Sequence, residues 1–400
     1  MAFLFSMYCN KIKNEKKQTM KARVIAYYLP QFHPIPENDK YWGKGFTEWT
    51  NVAKAKPLFK GHYQPRIPAD LGFYDLRLPE VREQQAQMAR EAGIEGFCYW
   101  HYWFGNGKRL LQRPFNEVLQ SGKPDFPFCL AWANHDWTTA TWLNGGDKKM
   151  IAKQLYPGVK DYTEHFYELL PAFRDRRYIT VDEKPLFVIY DPYHFKDITN
   201  FIEVWRHLAK QNNLKGIHFV ALINSTTTVR RKKDGTLERV IPNLNSSERV
   251  YNDILSLGFD AINSNGKSRA EMLYDGRIKR ISKSLLRSFF SHIPPTTWNY
   301  PEVMKYFFAP EDKREDIYPM LMPQWDRSPR NGNGDGIYIN STPQNFKQHI
   351  KEALQVVCNK TYEHRILFLH SWNEWAEGNY VEPDLKYGHG FLDAIKEAIG

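Results

Sequence analysis

Cysteine is scarce in this sequence, and its residues lie far apart along the chain. The 400 residues contain four cysteines, and no two of them form a CxxC motif. A zinc site or a redox motif of that kind is therefore not indicated. Cys98, Cys129 and Cys358 lie in or beside apolar runs. This placement predicts buried thiols and a reducing compartment.

Long apolar runs and targeting signals are also missing. No run approaches the roughly 20 apolar residues that cross a membrane as a helix. The chain begins with the apolar letters MAFLFSMYC, but the lysines follow them and no small-residue cleavage site appears, which argues against a secretory signal. We interpret residues 1–20 as a disordered N-terminal extension and residues 21–400 as one catalytic domain. The expected location is the cytoplasm, with a peripheral position at the inner membrane as a further expectation.

Signatures of nucleotide and nucleic-acid binding are absent from the sequence. No Gly-rich phosphate fingerprint follows the first predicted strand, which counts against a dinucleotide fold, and no cofactor is expected. The net charge is +10, yet the aromatic residues do not interleave with the basic runs at 230–233 and 277–287. Nucleic acid is therefore not an expected partner. The basic runs favour a solvated surface, with contact to an anionic membrane as the alternative.

The strongest pattern that is present is an alternation of apolar β-type runs with helical patterns. Nearly every run is followed by a helical pattern, and this alternation predicts an α/β fold with a parallel sheet. Eight such units predict a single closed (β/α)8 barrel of the TIM type. Long strand-to-helix loops, such as residues 33–72, and an insertion around 264–300 interrupt it. The predicted strands are Val24 to Leu29, Ile94 to Phe104, Pro127 to Asp136, Lys184 to Asp191, Ile217 to Asn224, Phe259 to Asn263, Ile317 to Trp325 and Ile366 to Leu369.

Aromatic and polar residues follow these strands repeatedly. Aromatic residues make up 15% of the chain and include 12 tryptophans, more than a core requires. The C-terminal strand ends of such a barrel share one face, where its active sites lie. Tryptophan faces stack on the apolar faces of sugar rings, so the pattern favours a carbohydrate cleft. The candidate substrate-binding residues at strand ends are His33, Trp100, His101, Tyr102, Trp132, Asn134, His135, Asp136, Tyr193, Trp325, Asp326, Trp372, Asn373 and Trp375.

Two glutamates after the last predicted strand are the candidate catalytic residues. Glu374 and Glu377 project to one side if the chain turns helically after Trp372. Glycoside cleavage uses two carboxyl groups, one holding a proton and one ionised. The alternative interpretation is a loop whose tryptophans close the barrel end while its glutamates face water.

Three histidines near strand ends raise the question of a metal. His33, His101 and His135 come from different strands, so a metal cluster is conceivable. No acidic ligand set accompanies them at a recognisable spacing, and no metal is expected. Hydrogen bonding to sugar hydroxyls, or support of neighbouring residues, is favoured.

Three segments together resemble a known family. The letters AYYLPQFH at 26–33, GFTEWTN at 45–51 and WNEWAEG at 372–378 are similar to the WbsX-type proteins of bacterial surface-polysaccharide clusters. These carry a domain similar to glycoside hydrolase family 99, whose members are retaining endo-α-mannosidases or mannanases on a (β/α)8 barrel. The resemblance spans about residues 21–399.

The resemblance implies roles for individual residues. It implies that Glu374 deprotonates the sugar 2-hydroxyl to give a 1,2-anhydro sugar, and that Glu377 is the acid/base at the leaving oxygen. It adds Glu48 and Trp49 as substrate-binding residues. Ala376 stands where the hydrolases commonly carry histidine.

The sequence leaves three functional hypotheses. The first is a retaining glycoside hydrolase or transglycosylase acting on a bacterial surface polysaccharide. The second is a WbsX-type glycosyltransferase in O-antigen, capsule or lipopolysaccharide biosynthesis. The third is a non-catalytic glycan-binding barrel. The expected partner is an oligosaccharide or polysaccharide, including a lipid-linked glycan at an anionic membrane surface.

Overall fold

A computed structural model describes residues 21–139, 148–224, 229–234, 237–239, 243–276, 295–332 and 336–400. The predicted extension at 1–20 and the basic run at 277–287 lie outside the described residues, as does the middle of the predicted insertion at 264–300. Within the described ranges, no helix is both long enough and apolar enough to cross a membrane.

Eight parallel strands close into a barrel, which confirms the predicted fold. The first of these strands along the chain pairs in parallel with both the second and the eighth, and every other neighbouring pair is also parallel. Helices follow the strands on the outside, as in other TIM-type barrels. Strands β1 to β8 are Arg23–Tyr28, Gly96–Trp103, Phe128–Trp132, Lys184–Ile189, His218–Asn224, Ala261–Asn265, Ile317–Leu321 and Ile366–Leu369.

The strands form where the sequence is apolar without alternation, because both faces of a parallel barrel sheet are covered. All six residues of β1 and all four of β8 are buried. Inside the barrel, the ring of Tyr27 stacks on Trp100 at 4.9 Å and on Phe368 at 5.3 Å. Ala26 pairs with Leu369. This register places the residues that follow β8 beside those that follow β1.

Several predicted strands extend beyond the ends of the observed strands. Strand β3 ends at Trp132 and β7 ends at Leu321, so the polar residues predicted at their ends lie in the following loops. The predicted loop 33–72 contains two short helices, Pro36–Trp42 and Glu48–Lys54. Seven residues are too few to show a helical repeat of apolar positions, which is why the sequence pattern did not reveal them.

A helix follows nearly every strand of the barrel, as the alternating pattern predicted. Each buries an apolar face on the barrel: the helix Ile198–Gln211, for example, buries Phe201 and Trp205. The helices of the described ranges are Pro36–Trp42, Glu48–Lys54, Pro79–Glu91, Arg113–Ser121, Val159–Phe173, Ile198–Gln211, Glu248–Leu255, residues 267–276, Tyr300–Val303, Ser328–Asn331, Pro343–Val357 and Gly390–Ile399.

The cysteine prediction is right for two thiols and wrong for the third. Cys98 and Cys129 are buried free thiols that lie opposite each other on the neighbouring strands β2 and β3. Cys358 is exposed, because it follows directly on the helix Pro343–Val357, where the chain leaves the core.

Candidate active site

The two candidate catalytic glutamates lie in a tight turn after β8. A small antiparallel ladder pairs Asn373 with Tyr380 and Glu374 with Asn379, and the chain between them forms one 3-10 turn that contains Glu377. Gly378 ends this turn at a φ of +60°, and a Cβ there would lie 2.9 Å from the backbone of Asp326. The turn therefore requires glycine at this position. It holds both glutamates, each less than 10% exposed, at the carboxyl end of the barrel.

A buried arginine joins three carboxyl groups. Arg330 comes from the short helix Ser328–Asn331 that follows β7. Its Nη1 lies 2.5 Å from Oε1 of Glu377, and its Nη2 lies 3.4 Å from Oε1 of Glu48. The same Nη2 lies 3.8 Å from Oε1 of Glu374. These four residues, Arg330 with Glu48, Glu374 and Glu377, are called the Arg330 cluster below.

The charges around Glu377 keep it ionised. Burial acts to raise the pKa of its carboxyl, but attraction to Arg330 and Arg327 outweighs burial and lowers the pKa. Nε of Arg327 lies 3.2 Å from Oε1 of Glu377. In the unliganded protein Glu377 is therefore suited to accept a proton rather than to donate one.

Glu48 has the opposite electrostatic setting. It opens the helix Glu48–Lys54, is fully buried, and accepts a hydrogen bond of 2.9 Å from the backbone N–H of Ala376. Burial raises the pKa of Glu48 to about 7, and the nearby Glu374 and Glu377 add to the rise although Arg330 opposes it. Two carboxyl settings that diverge in pKa within one site are typical of acid–base chemistry.

Glu374 is positioned by a histidine and a serine. Nε2 of His370 lies 2.8 Å from its Oε2, and its backbone N–H donates to Oγ of Ser371 at 2.8 Å. His370, Glu374 and Glu377 offer ligand atoms within 4.8 Å of one another, a spacing that a metal ion could use. Arg330 already places a positive charge 2.5 Å from Glu377, so this arrangement fits proton transfer better than metal binding.

An aromatic wall stands beside the carboxyl groups. The ring of Trp100 stacks on Tyr27, and its edge meets Tyr190 at 5.7 Å. Tyr190 is 41% exposed, and His135 packs on it at 5.2 Å. The pKa of the Tyr190 hydroxyl is raised, first by desolvation and then by the negative charges of nearby carboxylates. Among these carboxylates Glu377 has the largest effect. The wall thus presents aromatic surface next to the glutamates.

Two further predicted residues complete the surroundings of the cluster. The pKa of Tyr102 is raised by burial and then by the charge of Glu374. Trp325 lies 6.5 Å from the ring of His370, and Nζ of Lys267 sits 4.4 Å above the centre of its indole. The structure thus gathers seven of the predicted residues at one place: Glu48, Trp100, Tyr102, His135, Trp325, Glu374 and Glu377.

The other predicted tryptophans lie in the packed interior. Trp132 and Trp372 are almost fully buried. Trp375 stacks on Tyr380 at 3.7 Å and donates its indole N–H to Glu382 at 2.6 Å. The indole of Trp49 donates to the carbonyl of Tyr74 at 2.8 Å. These four indoles are therefore buried against other protein groups.

Two asparagines among the predicted substrate-binding residues form hydrogen bonds that link the ends of neighbouring strands. Asn373 accepts from the backbone N–H of Leu29 at 2.7 Å and donates to its carbonyl at 3.1 Å. Asn134 makes the same pair of bonds with Asp191, both at 2.7 Å. Tyr193 is partly buried against the core, and its backbone N–H donates to the carboxylate of Asp191. These residues shape the rim of the barrel.

The charged residues among the remaining candidates also bind protein groups. Asp326 is fully buried, with Nε2 of His62 at 2.8 Å and Nε2 of Gln64 at 2.6 Å. Although burial opposes it, the hydrogen bond from His62, the charge of Arg66 and the hydrogen bond from Ser328 lower the pKa of Asp326 to about 2. Asp136 is exposed and accepts from the backbone of Gln154.

The conceivable cluster of three histidines does not form. His101 points to the helix Val159–Phe173, where its Nε2 lies 2.8 Å from Nε2 of His165. Nδ1 of His33 lies 3.0 Å from the carbonyl oxygen of Pro30, and burial lowers the pKa of His33. His135 stays at the aromatic wall.

The sequence predictions missed Arg330, Arg327, His370 and Tyr190. Arg330 meets Glu48 across 282 positions of the chain, and no local pattern marks it. His370 stands at the end of β8, directly before the candidate glutamates, and its position was the one available signal. Tyr190 ends the apolar run of β4 and reads as part of that strand.

The chain is similar to known proteins over most of its length. Residues 24–395 match the family model described as glycosyltransferase WbsX. Two proteins of Xanthomonas campestris pv. campestris, each described as uncharacterized protein WxcX, are 32% identical to it over 384 and 383 residues. The matches cover 96% of this chain and 50% of those proteins, so the chain spans about half the length of the curated relatives it matches.

Solved structures share the fold. The family 99 endo-α-mannosidase of Bacteroides thetaiotaomicron is similar with a TM-score of 0.55 and 14% identity, over 94% of this chain and 96% of that one. A glycoside hydrolase-like protein gives a TM-score of 0.57 at 13% identity, over 94% of both chains. Since the family model covers nearly the whole chain, the chain belongs to the family described as glycosyltransferase WbsX.

Proposed function

We propose that this chain cleaves or transfers glycosidic bonds of a bacterial surface polysaccharide with retention of configuration. The observation that carries the proposal is the Arg330 cluster, which holds Glu374 and Glu377 at the mouth of the barrel. The aromatic wall of Trp100 and Tyr190 beside it offers a stacking surface for sugar rings. Endo-α-mannosidase-type action, as in the family 99 structure, is part of the proposal.

The two glutamates divide the reaction in two halves. Glu374 takes the proton of the sugar 2-hydroxyl as O2 attacks the anomeric carbon, and the bond to the leaving oxygen breaks. Glu377 gives its proton to that oxygen, and a 1,2-anhydro sugar results. In the second half Glu377 takes a proton from water or an acceptor hydroxyl, whose oxygen opens the anhydro ring, while Glu374 returns its proton to O2.

The lowered pKa of Glu377 suits the second half of this sequence better than the first. A carboxylate that pairs with Arg330 at 2.5 Å is a ready base, whereas acid catalysis first requires its protonation. Substrates with good leaving groups need little acid assistance. The site therefore favours glycosyl donors whose leaving group is already stable as an anion.

This observation supports a second candidate, a glycosyltransferase that uses a phosphate-activated donor. Arg327 pairs with Glu377 at 3.2 Å and keeps about a third of its side chain exposed, and Lys267 also acts on the charge of Glu377. Cations beside the reacting carbon stabilise a departing phosphate. The same Glu377 would then deprotonate the acceptor hydroxyl.

The first experiment separates these candidates and the binding-only barrel. Purified protein is incubated with a panel of polysaccharides while release of reducing ends is measured, and separately with nucleotide sugars and a lipid-linked acceptor. Turnover of a polysaccharide supports the hydrolase or transglycosylase. Transfer from nucleotide sugars alone would refute it in favour of the transferase. Saccharide binding without turnover, unchanged by replacement of both glutamates, would indicate a binding barrel.

The second experiment assigns the two glutamates. General acid or base assistance contributes roughly 100- to 10,000-fold per group. Glu377→Gln should lose about that factor on a poor leaving group and recover part of it on an activated aryl glycoside. Glu374→Gln should be impaired on both substrates, because the 2-hydroxyl must still be deprotonated. Glu83→Gln, on the exposed face of the helix Pro79–Glu91, is the matched control.

Two results would contradict the anhydro route. One is turnover of a 2-deoxy substrate at the normal rate. The other is a glycosyl ester trapped on Glu374 or Glu377, which would show ordinary double displacement.

We further propose that the glycan is met while it is attached to a lipid carrier. The support is the basic run at 277–287, since each lysine or arginine near an anionic surface contributes about 1 kcal/mol. Flotation with anionic liposomes at low salt tests this, and absence of the protein from the liposome fraction would refute it.

A further inference from the structure

We propose that Glu48 is a positioning residue that carries a proton inside the active site, and that loss of this proton changes how Arg330 holds Glu377. This inference rests on the proposed function, in which Glu377 exchanges protons with the substrate. Glu48 itself is fully buried and contacts protein groups. It therefore acts through its neighbours rather than on the sugar.

The two oxygens of Glu48 differ in their surroundings. Oε1 accepts from the backbone N–H of Ala376 at 2.9 Å and from Nη2 of Arg330 at 3.4 Å. Oε2 is buried and has no hydrogen-bond partner among the described residues. An oxygen that already accepts two donors is a poor place for a proton, so the proton belongs on Oε2.

The position of Glu48 links it to both candidate catalytic residues. Ala376 lies between Glu374 and Glu377 in the 3-10 turn, so the bond from its N–H to Glu48 fixes that turn. Glu48 also shares the guanidinium of Arg330 with Glu377, which lies nearer at 2.5 Å. A change of charge on Glu48 therefore alters the electrostatic surroundings of both Glu374 and Glu377.

The groups that face Glu48 determine when it ionises. They are Arg330 from the helix after β7, Glu374 and Glu377 from the turn after β8, and Tyr102 from β2. Burial and the two glutamates favour the neutral form, and their joint effect raises the pKa of Glu48 to about 7. Below that pH Arg330 interacts with two ionised carboxylates, and above it Arg330 interacts with three.

Ionisation of Glu48 weakens the hold of Arg330 on Glu377. A third negative charge competes for the guanidinium, and mutual repulsion favours protonation of the other two carboxylates. The affinity of Glu377 for a proton therefore rises as Glu48 ionises. The macroscopic titration belongs to the cluster as a whole, and Glu48 sets its neutral step.

The Glu48→Gln variant separates charge from shape. Its side-chain oxygen can accept from Ala376 and Arg330 as Oε1 does, and its NH2 group takes the place of Oε2, where no donor stands in the way. The variant thus keeps the contacts of protonated Glu48 and cannot ionise. Glu83→Gln, which makes the same chemical change on an exposed helix face, is the control.

The first readout does not depend on activity. Infrared difference spectra between about pH 5 and about pH 9 record the carbonyl band of a protonated carboxyl group as it ionises. We expect a neutral-range band in the wild type and in Glu83→Gln that is smaller in Glu48→Gln, where Glu382, the other buried carboxyl with a pKa raised to about 7, still contributes. If the variant retains the whole band, Glu48 does not carry the proton and the inference is overturned, whatever the enzyme acts on.

The second readout is the pH profile of kcat/KM on the substrate found for the enzyme. The wild type should show an inflection near neutral pH that Glu48→Gln lacks, while Glu83→Gln follows the wild type. A purely structural role would lower kcat/KM by the same factor at every pH. An unchanged inflection in Glu48→Gln would overturn the link to Glu377 even if the infrared band is smaller.

Discussion

The protonated state of Glu48 predicts how the stability of the protein changes with pH. Folding raises the pKa of this carboxyl from 4.5 to about 7. The folded protein therefore holds a proton that the unfolded chain has already released between these values. With a raised pKa, the stabilising effect of the neutral form is complete below about pH 4.5 and is lost as the pH rises to about 7.

The size of the effect follows from the shift. A rise of about 2.5 units, at about 1.4 kcal/mol per unit, corresponds to about 3 kcal/mol of unfolding free energy. Because Glu48 is fully buried, solvent screens little of it. Glu48→Gln cannot ionise and escapes this loss. The free energy of unfolding of the variant, relative to that of the wild type, should therefore rise by about 3 kcal/mol between mildly acidic and mildly alkaline pH.

The assay is urea-induced unfolding followed by tryptophan fluorescence across this pH range. Glu382 is a second buried carboxyl whose pKa burial raises to about 7, and it is present in both proteins. Its contribution cancels in the difference between them. Glu83→Gln should follow the wild type at every pH.

A difference between wild type and Glu48→Gln that stays constant with pH would refute the reasoning. It would mean that Glu48 is ionised throughout, and that Arg330 rather than burial governs its charge.

Three further predictions concern the surroundings of the site. Arg330→Met removes the cation that three buried carboxyl groups share, so urea unfolding should show a loss of about 3–5 kcal/mol at neutral pH and a smaller loss in acid. Asp326 has a pKa of about 2 in the fold against 3.8, so its stabilising effect is present above about pH 4 and disappears toward pH 2. Asp326→Asn should cost about 2 kcal/mol at neutral pH and flatten acid unfolding. Trp100→Phe should weaken saccharide binding about two- to tenfold in calorimetry, whereas full affinity would show that this ring does not face the sugar.

The barrel was predictable because its signals are local. Each strand is a short apolar run, and a parallel sheet covered on both faces needs nothing else from the sequence. Strand β8 was predicted with its observed bounds, Ile366–Leu369. The strands that run on into Trp132-to-Asp136 and Leu321-to-Trp325 were predicted too long, since aromatic residues continue the pattern past the point where the backbone leaves the sheet.

The candidate glutamates were also visible in sequence, because both lie on one turn. The indoles beside them were not distinguishable in the same way. Trp100 and Trp325 lie at the site, whereas Trp372 and Trp375 pack inside the protein. The residue type is tryptophan in each case. Only the direction of the backbone decides whether the indole lies at the site or in the protein interior.

By itself, the sequence determined the eight-stranded barrel, the turn that carries Glu374 and Glu377, and the membership of the WbsX family. The tertiary structure alone decided that Arg330 joins Glu48 to the two other glutamates, across 282 positions of the chain. The physical reason is that a charge is set by what surrounds it in space. Burial and shared contact with one arginine, which no local pattern records, separate a protonated glutamate from an ionised one.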